Sequence, residues 1–284
     1  MGTSSNWARG SNQYLKRTRP EILTRADNIH LSPSSAADRL ELTGITWDST
    51  ALDFGTLKQS TPDRARARYR AMMPEYIWDA AALEGNPYTL PEVRTLLEGI
   101  TVSGHRLDDQ EQILALNEGF NLVDTLVGDS RFLLDKNTSD TIHGLVARHE
   151  AIESGAFRGQ GAAGGGGRVG LGERGVYQAS DPGVDGATLI AEHKDLLDYL
   201  DTLTDPRERA FAYFAAATKR QFYFDGNKRT SRLMMAGELM ANGYDAVSVS
   251  ATRRLEYNTY LTELFVTHDA TQLMRFIIDN RPSD

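Results

Sequence analysis

The densest set of groups able to do chemistry is the run Asp225-Gly226-Asn227-Lys228-Arg229-Thr230-Ser231-Arg232. A glycine followed by a capping asparagine marks a helix start. The first backbone N–H groups there have no internal partners, and the helix dipole adds partial positive charge. Arg229 and Arg232 are three apart and project from one side of the opening turns, and Lys228 adds a third cation. Backbone amides with forked guanidiniums suit a polyphosphate, and Asp225 just upstream is a carboxylate able to hold Mg2+ beside it. On residue types alone, the same run also fits a capped surface helix with solvated basic residues. A second glycine pattern, Gly170-Leu171-Gly172-Glu173-Arg174-Gly175, matches the spacing of a dinucleotide fingerprint. It lacks the buried strand before it and the helix after it, so it is read as a surface loop.

The elements around these residues are mostly helical. Residues 1–35 read as a polar, loosely held arm, and residues 36–60 as short elements. Helical periodicity covers 65–82 with a new first turn at Pro74 and a stop at Gly85, then 91–102, 109–128 and 139–152. Ile142, Leu145, Val146, His149 and Ile152 would share one face of the last of these. Between Gly155 and Gly175 lie 10 of the 25 glycines, a density that excludes a helix and predicts a loop or hairpin. Helices resume at 185–203, at 206–224 behind an Asp205-Pro206 start, from Asn227 to about Asn242, and over 251–266 and 269–280.

Composition narrows the class. The 284 residues carry 31 Lys plus Arg against 39 Asp plus Glu, a net charge of −8 that argues against a nucleic-acid coat or an anionic-membrane anchor. With no cysteine, thiol nucleophiles, disulfides and cysteine metal sites are excluded. No long apolar run and no secretory-type leader is visible, so a cytoplasmic protein is expected. His30, His105, His143 and His268 show no pairing with Asp or Glu at metal-ligand spacing, and His149 and His193 read as core or inter-helix residues.

Three motifs in order carry a resemblance. The segment Gln221-Phe222-Tyr223-Phe224-Asp225-Gly226-Asn227-Lys228-Arg229-Thr230-Ser231-Arg232 resembles the Fic signature HxFx(D/E)GN(G/K)RxxR. Ala80-Ala81-Ala82-Leu83-Glu84-Gly85 resembles the family's inhibitory motif (S/T)xxxE(G/N), and Gly155-Ala156-Phe157-Arg158 its G-x-F-R stretch. The resemblance implies an all-α domain with a β-hairpin flap and extra N-terminal helices. Residues 1–60 would form the arm and short elements, and 61–284 the Fic-like domain. The inhibitory helix would lie at about 74–85 and the flap at about 155–180.

It also implies transfer of AMP from Mg-ATP to the hydroxyl of a protein docked along the flap. By position, Asp225 would hold Mg2+, and Gly226, Asn227 and Lys228 would form an anion hole. Arg229 and Arg232 would grip the terminal phosphates, with Tyr257 and Asn258 near the adenine. Glu84, followed by Gly85 and Asn86, would reach Arg232 and exclude the γ-phosphate. ATP or ADP and a protein target are the implied partners, without nucleic acid or membrane; a homo-oligomer stays open.

Departures from the pattern temper that activity. The family's catalytic histidine aligns with Gln221, whose neutral amide cannot take a proton from a hydroxyl. Lys228 resembles the toxin branch that transfers phosphate instead, and Ala80 stands where a hydroxyl is expected. The reading is a weak or altered adenylyltransferase. The alternatives are an inactive nucleotide-binding regulatory protein and a phosphotransferase.

Overall fold

The computed structural model describes residues 36–280, so the expected arm at 1–35 lies outside the described residues. The described chain is helical apart from one hairpin. Helix α1 (Ala36–Thr43) leads into two 3-10 turns, whose neighbours Ile45, Trp47, Leu52, Phe54 and Leu57 are buried in the common core. Then follow α2 (Pro62–Ala71), α3 (Met73–Leu83), α4 (Leu90–Leu97), α5 (Leu107–Gly128) and α6 (Lys136–Val146). Antiparallel strands β1 (Arg168–Gly170) and β2 (Val176–Gln178) pair with Val169 opposite Tyr177. The chain ends with α7 (Ala187–Leu200), α8 (Pro206–Arg220), α9 (Asn227–Ala241), α10 (Arg254–Thr267) and α11 (Thr271–Asp279).

Helix α9 is the axis of the molecule. Of its residues up to Met240 all but Lys228 are buried, and it packs on α8, α5 and α6. Small residues allow the close approach. A Cβ on Gly237 would fall 2.0 Å from the Phe132 ring, and one on Gly119 of α5 would fall 2.3 Å from Val146.

Helix ends differ from the periodicity reading where capping overrides it. The helix expected over 91–102 stops at Leu97, because Glu98 caps it and Gly99 turns left-handed. The one expected over 139–152 starts earlier, with the Asp135 carboxylate accepting from Thr138 N at 2.7 Å, and ends at Val146. His149 and Ile152 therefore leave the apolar face. Ile152 is exposed, and His149 pairs with Glu111 at 3.4 Å instead of entering the core. His193 is buried as expected, edge-on to Phe157 and Phe222. Helix α8 ends at Arg220 rather than 224, because Gln221 adopts φ +52°.

The Gly170–Gly175 pattern is the turn of the hairpin, as a surface loop would be. The hairpin is tied down at Tyr177, which packs on Phe265, and at Arg174, which pairs with Glu263 at 2.7 Å.

Candidate nucleotide-phosphate site

The loop between α8 and α9 is held by its own amides. Asn227 accepts from Tyr223 N at 2.9 Å through Oδ1, and its Nδ2 donates to Tyr223 O at 2.8 Å and to Gln221 Oε1 at 3.2 Å. Gln221 Nε2 donates to Thr218 O at 2.7 Å. Gly226 stands at φ +70° at the mouth of α9; a Cβ there would lie 2.7 Å from that of Ala147. The side chain of Asn227 is thus a staple for the loop, while the first amides of α9 remain at the helix start.

Two residues without a role in the sequence reading fix this loop. His143 Nδ1 accepts from Gly155 N at 2.9 Å, which leaves Nε2 as the donor to Asp225 O, also at 2.9 Å. Its ring stacks on Tyr223 at 3.8 Å, and burial pushes its pKa down to about 4, so it is a neutral spacer. Arg158 is fully buried. It donates to the carbonyls of Gln221 at 2.7 Å, Gly165 at 3.1 Å and Ser180 at 3.1 Å, joining the α8–α9 loop to the segments on either side of the hairpin. The G-x-F-R match pointed to Arg158, but nothing in the sequence reading pointed to His143, which lay outside the apolar stripe expected for its helix.

The cations of α9 meet carboxylates. Arg232 Nη2 donates to Glu84 Oε1 at 3.1 Å, and Lys228 Nζ pairs with Glu84 Oε2 at 2.8 Å. Burial raises the pKa of the Glu84 carboxyl, but Arg232 and Lys228 outweigh that and hold it below the usual carboxylate range. Glu84 caps α3, and Gly85 at φ +94° turns the chain so that Asn86 N returns to Ala81 O at 3.1 Å. Arg229 donates through Nη1 to Val146 O at 2.9 Å and to Glu150, and through Nη2 to Asp225 at 3.4 Å. Asp225 Oδ1 also accepts from Gly226 N at 2.5 Å, while the side chain is 59% exposed.

Arg232 is buried, and its Nε and Nη1 have no hydrogen-bond partner among the described residues. Beside it lies a void of about 30 Å³ lined by residues that include Ala80, Tyr76, Arg229 and Ser248, room for a water. Tyr257 is buried with its ring 6.0 Å from the Arg232 guanidinium, whereas Asn258 is exposed on α10. The structure therefore brings together Glu84, Lys228, Arg232 and Tyr257, and separately Asp225, Arg229 and Glu150. The described contacts do not bring the Asn258 side chain to either set.

A helical domain with one short hairpin, and a glycine-led helix start whose arginines face carboxylates, has the architecture of a Fic domain. Among solved structures it is similar to a Fic domain-containing signaling protein from Bacteroides thetaiotaomicron. The TM-score is 0.60 and the identity 20%, over 78% of this chain and 83% of that one. It is also similar to Fic-1 from C. elegans, with a TM-score of 0.62 and 19% identity over 87% and 70% of the two chains. In sequence it is 28% identical over 235 residues to Protein adenylyltransferase Fic of Drosophila willistoni, covering 82% of this chain and 44% of that protein. It is 31% identical over 209 residues to that of Culex quinquefasciatus, covering 72% and 39%. The chain thus spans less than half the length of these curated relatives. No family model matches it. The chain belongs to the Fic family.

Proposed function

We propose that the protein binds ATP, with Mg2+, through the start of α9, and that it is an adenylyltransferase-type protein held in a restrained state. The observation that carries this reading is Glu84. Its carboxylate is forked onto Arg232 and Lys228, which is where a terminal phosphate would be held. The relatives named Protein adenylyltransferase Fic support the same chemistry.

The residues fit the absent group. Buried Arg232 keeps Nε and Nη1 unpartnered, and Gly226 opens α9 with no side-chain cap on its first amides. Asp225 is exposed, and no group of three or more carboxylate or imidazole residues surrounds it among the described residues. It would hold Mg2+ as a single carboxylate, the remaining ligands coming from phosphate and water. Bound there, the ion supplies charge neutralisation for the phosphates.

The protein's own groups would do the rest. The α9 amides and Arg229 orient the phosphates, and the flap presents a hydroxyl of a target protein. That oxygen bonds to the α-phosphorus, pyrophosphate leaves, and the hydroxyl proton must go to a base. At the catalytic position Gln221 offers only a neutral amide already bonded to Thr218 and Asn227, which favours slow transfer. The same observation favours the second reading, a nucleotide-binding regulatory protein without turnover.

Calorimetry with Mg-ATP and Mg-ADP on the wild type and on Glu84→Gly tests the site. Loss of the carboxylate is expected to favour ATP over ADP relative to wild type by at least about tenfold, the worth of a charge-assisted hydrogen bond. Equal ATP and ADP preference before and after would make Glu84 a helix-terminal acid only.

A further inference from the structure

We propose that Glu150 is a second carboxylate stop on the phosphate site. It occupies Arg229 as Glu84 occupies Arg232, and the two stops are joined through Gln112 and Asn86. The inference rests on the reading of Arg229 and Arg232 as phosphate-binding groups.

The Arg229 side chain is only 4% exposed, so its guanidinium is restricted to the partners around it. Nη1 is shared by the Val146 carbonyl and Glu150 Oε2, and Nη2 reaches Asp225 only at 3.4 Å. A phosphate that takes Nη1 must therefore displace Glu150 or share it against a like charge.

Glu150 is itself held. Gln112 of α5 donates through Nε2 to Glu150 Oε1 at 2.7 Å. At its other end, Gln112 Oε1 accepts from Asn86 Nδ2 at 2.9 Å. The amide has one orientation that satisfies both neighbours, because flipping it would put oxygen against carboxylate and nitrogen against nitrogen.

Asn86 lies two residues after Glu84, across Gly85. It is anchored by Nδ2 to Asp109 O at 2.8 Å and by Oδ1 to Tyr88 N at 3.1 Å. The end of α3 that carries Glu84 thus also positions the amide that positions Glu150. Displacing that end frees Arg232 directly and loosens the grip on Arg229 through Asn86 and Gln112.

A purely structural role for Glu150, neutralising a buried arginine, predicts the opposite sign in a binding experiment. Without it, Arg229 would be misplaced and nucleotide binding would weaken. Mg-ATP binding by calorimetry on the full chain, with thermal midpoints as a check on folding, distinguishes the two. In the Glu84→Gly background, Glu150→Gln is expected to tighten ATP by about a further tenfold. Glu150→Asp keeps the charge but draws it back from Nη1, and should tighten it less. Joint loss of the two acids should gain less than the product of the single gains, because losing Glu84 already loosens Glu150, and Gln112→Ala should return the gains to a simple product.

Unchanged or weaker ATP binding in both Glu150 variants, with fold retained, overturns the proposal. Gains that simply multiply, with or without Gln112, overturn the coupling. If Glu84→Gly itself binds no nucleotide, the phosphate-site reading fails before Glu150 is reached.

Discussion

At the scale of single residues, the proposed transfer turns on Gln221. Its φ of +52° is a backbone state that histidine also adopts, so Gln221→His needs no rebuilding of the loop. Its amide is spent on Thr218 and Asn227, and it is neutral at any physiological pH. A placed general base contributes ~10²–10⁴-fold, equivalent to roughly 3–5 kcal/mol of barrier. Gln221→His combined with Glu84→Gly should therefore raise transfer to a hydroxyl acceptor by at least ~10²-fold over Glu84→Gly alone. Labelling ATP separately at the α- and γ-phosphates tells adenylyl from phosphoryl transfer. The γ-label on protein would mean that Lys228, once released from Glu84, turns the nucleotide around. With nucleotide bound and neither label transferred, the missing histidine would not be the cause of silence.

The elements are joined by buried polar groups more than by strand pairing. The hairpin has three residues per strand, too few to be stable alone. Its base is held by Arg158, whose guanidinium is kept in the core by three carbonyls, and burial pulls its pKa below the usual arginine value. Arg158→Met keeps the volume but leaves those three acceptors without a donor, at about 1–3 kcal/mol each if water does not replace it. The expected result is a loss of about 3 kcal/mol or more in unfolding free energy. Amide exchange over residues 159–180 should also accelerate much more than in α5. Exchange that rises equally in both places would show Arg158 to be a general core residue and not the anchor of the flap.

At the scale of the whole molecule, two buried histidines contribute to the loss of stability in acid. Burial is the largest influence on both, and it lowers His143 from 6.5 to about 4 and His193 from 6.5 to about 3. Each is neutral when folded, so between pH 6.5 and these lower values the unfolded chain binds the extra protons and stability falls as pH falls. Above pH 6.5 neither contributes a slope. Below it, each contributes up to about 1.4 kcal/mol per pH unit. Urea unfolding at pH 7 and pH 5 should show the loss, and His193→Gln should make the dependence shallower by about one histidine's share. A pH dependence left unchanged by that substitution would mean that His193 is protonated equally in both states. The lowered Glu84 carboxyl adds its own loss only at lower pH, as it protonates.

Much of this was legible in the sequence because the signals were local. Gly226-Asn227 writes the helix start, Asp205-Pro206 the start of α8, and the glycine density the hairpin, each through the conformations those residues allow. The two acid–base meetings on α9 separate the rest. Glu84 could be anticipated from a motif, but its second partner Lys228 could not, because two chain segments far apart in sequence must fold together before either charge has a neighbour. The periodicity of α6 gives a stripe but not its end. The helix stops at Val146, so His149 falls outside it, whereas His143 lies beside the expected stripe and is buried by packing that only the tertiary structure supplies. Glu150 lies just beyond that end. Its meeting with Arg229, and with Gln112 and Asn86 behind it, exists only because α3, α5, α6 and α9 pack around one point.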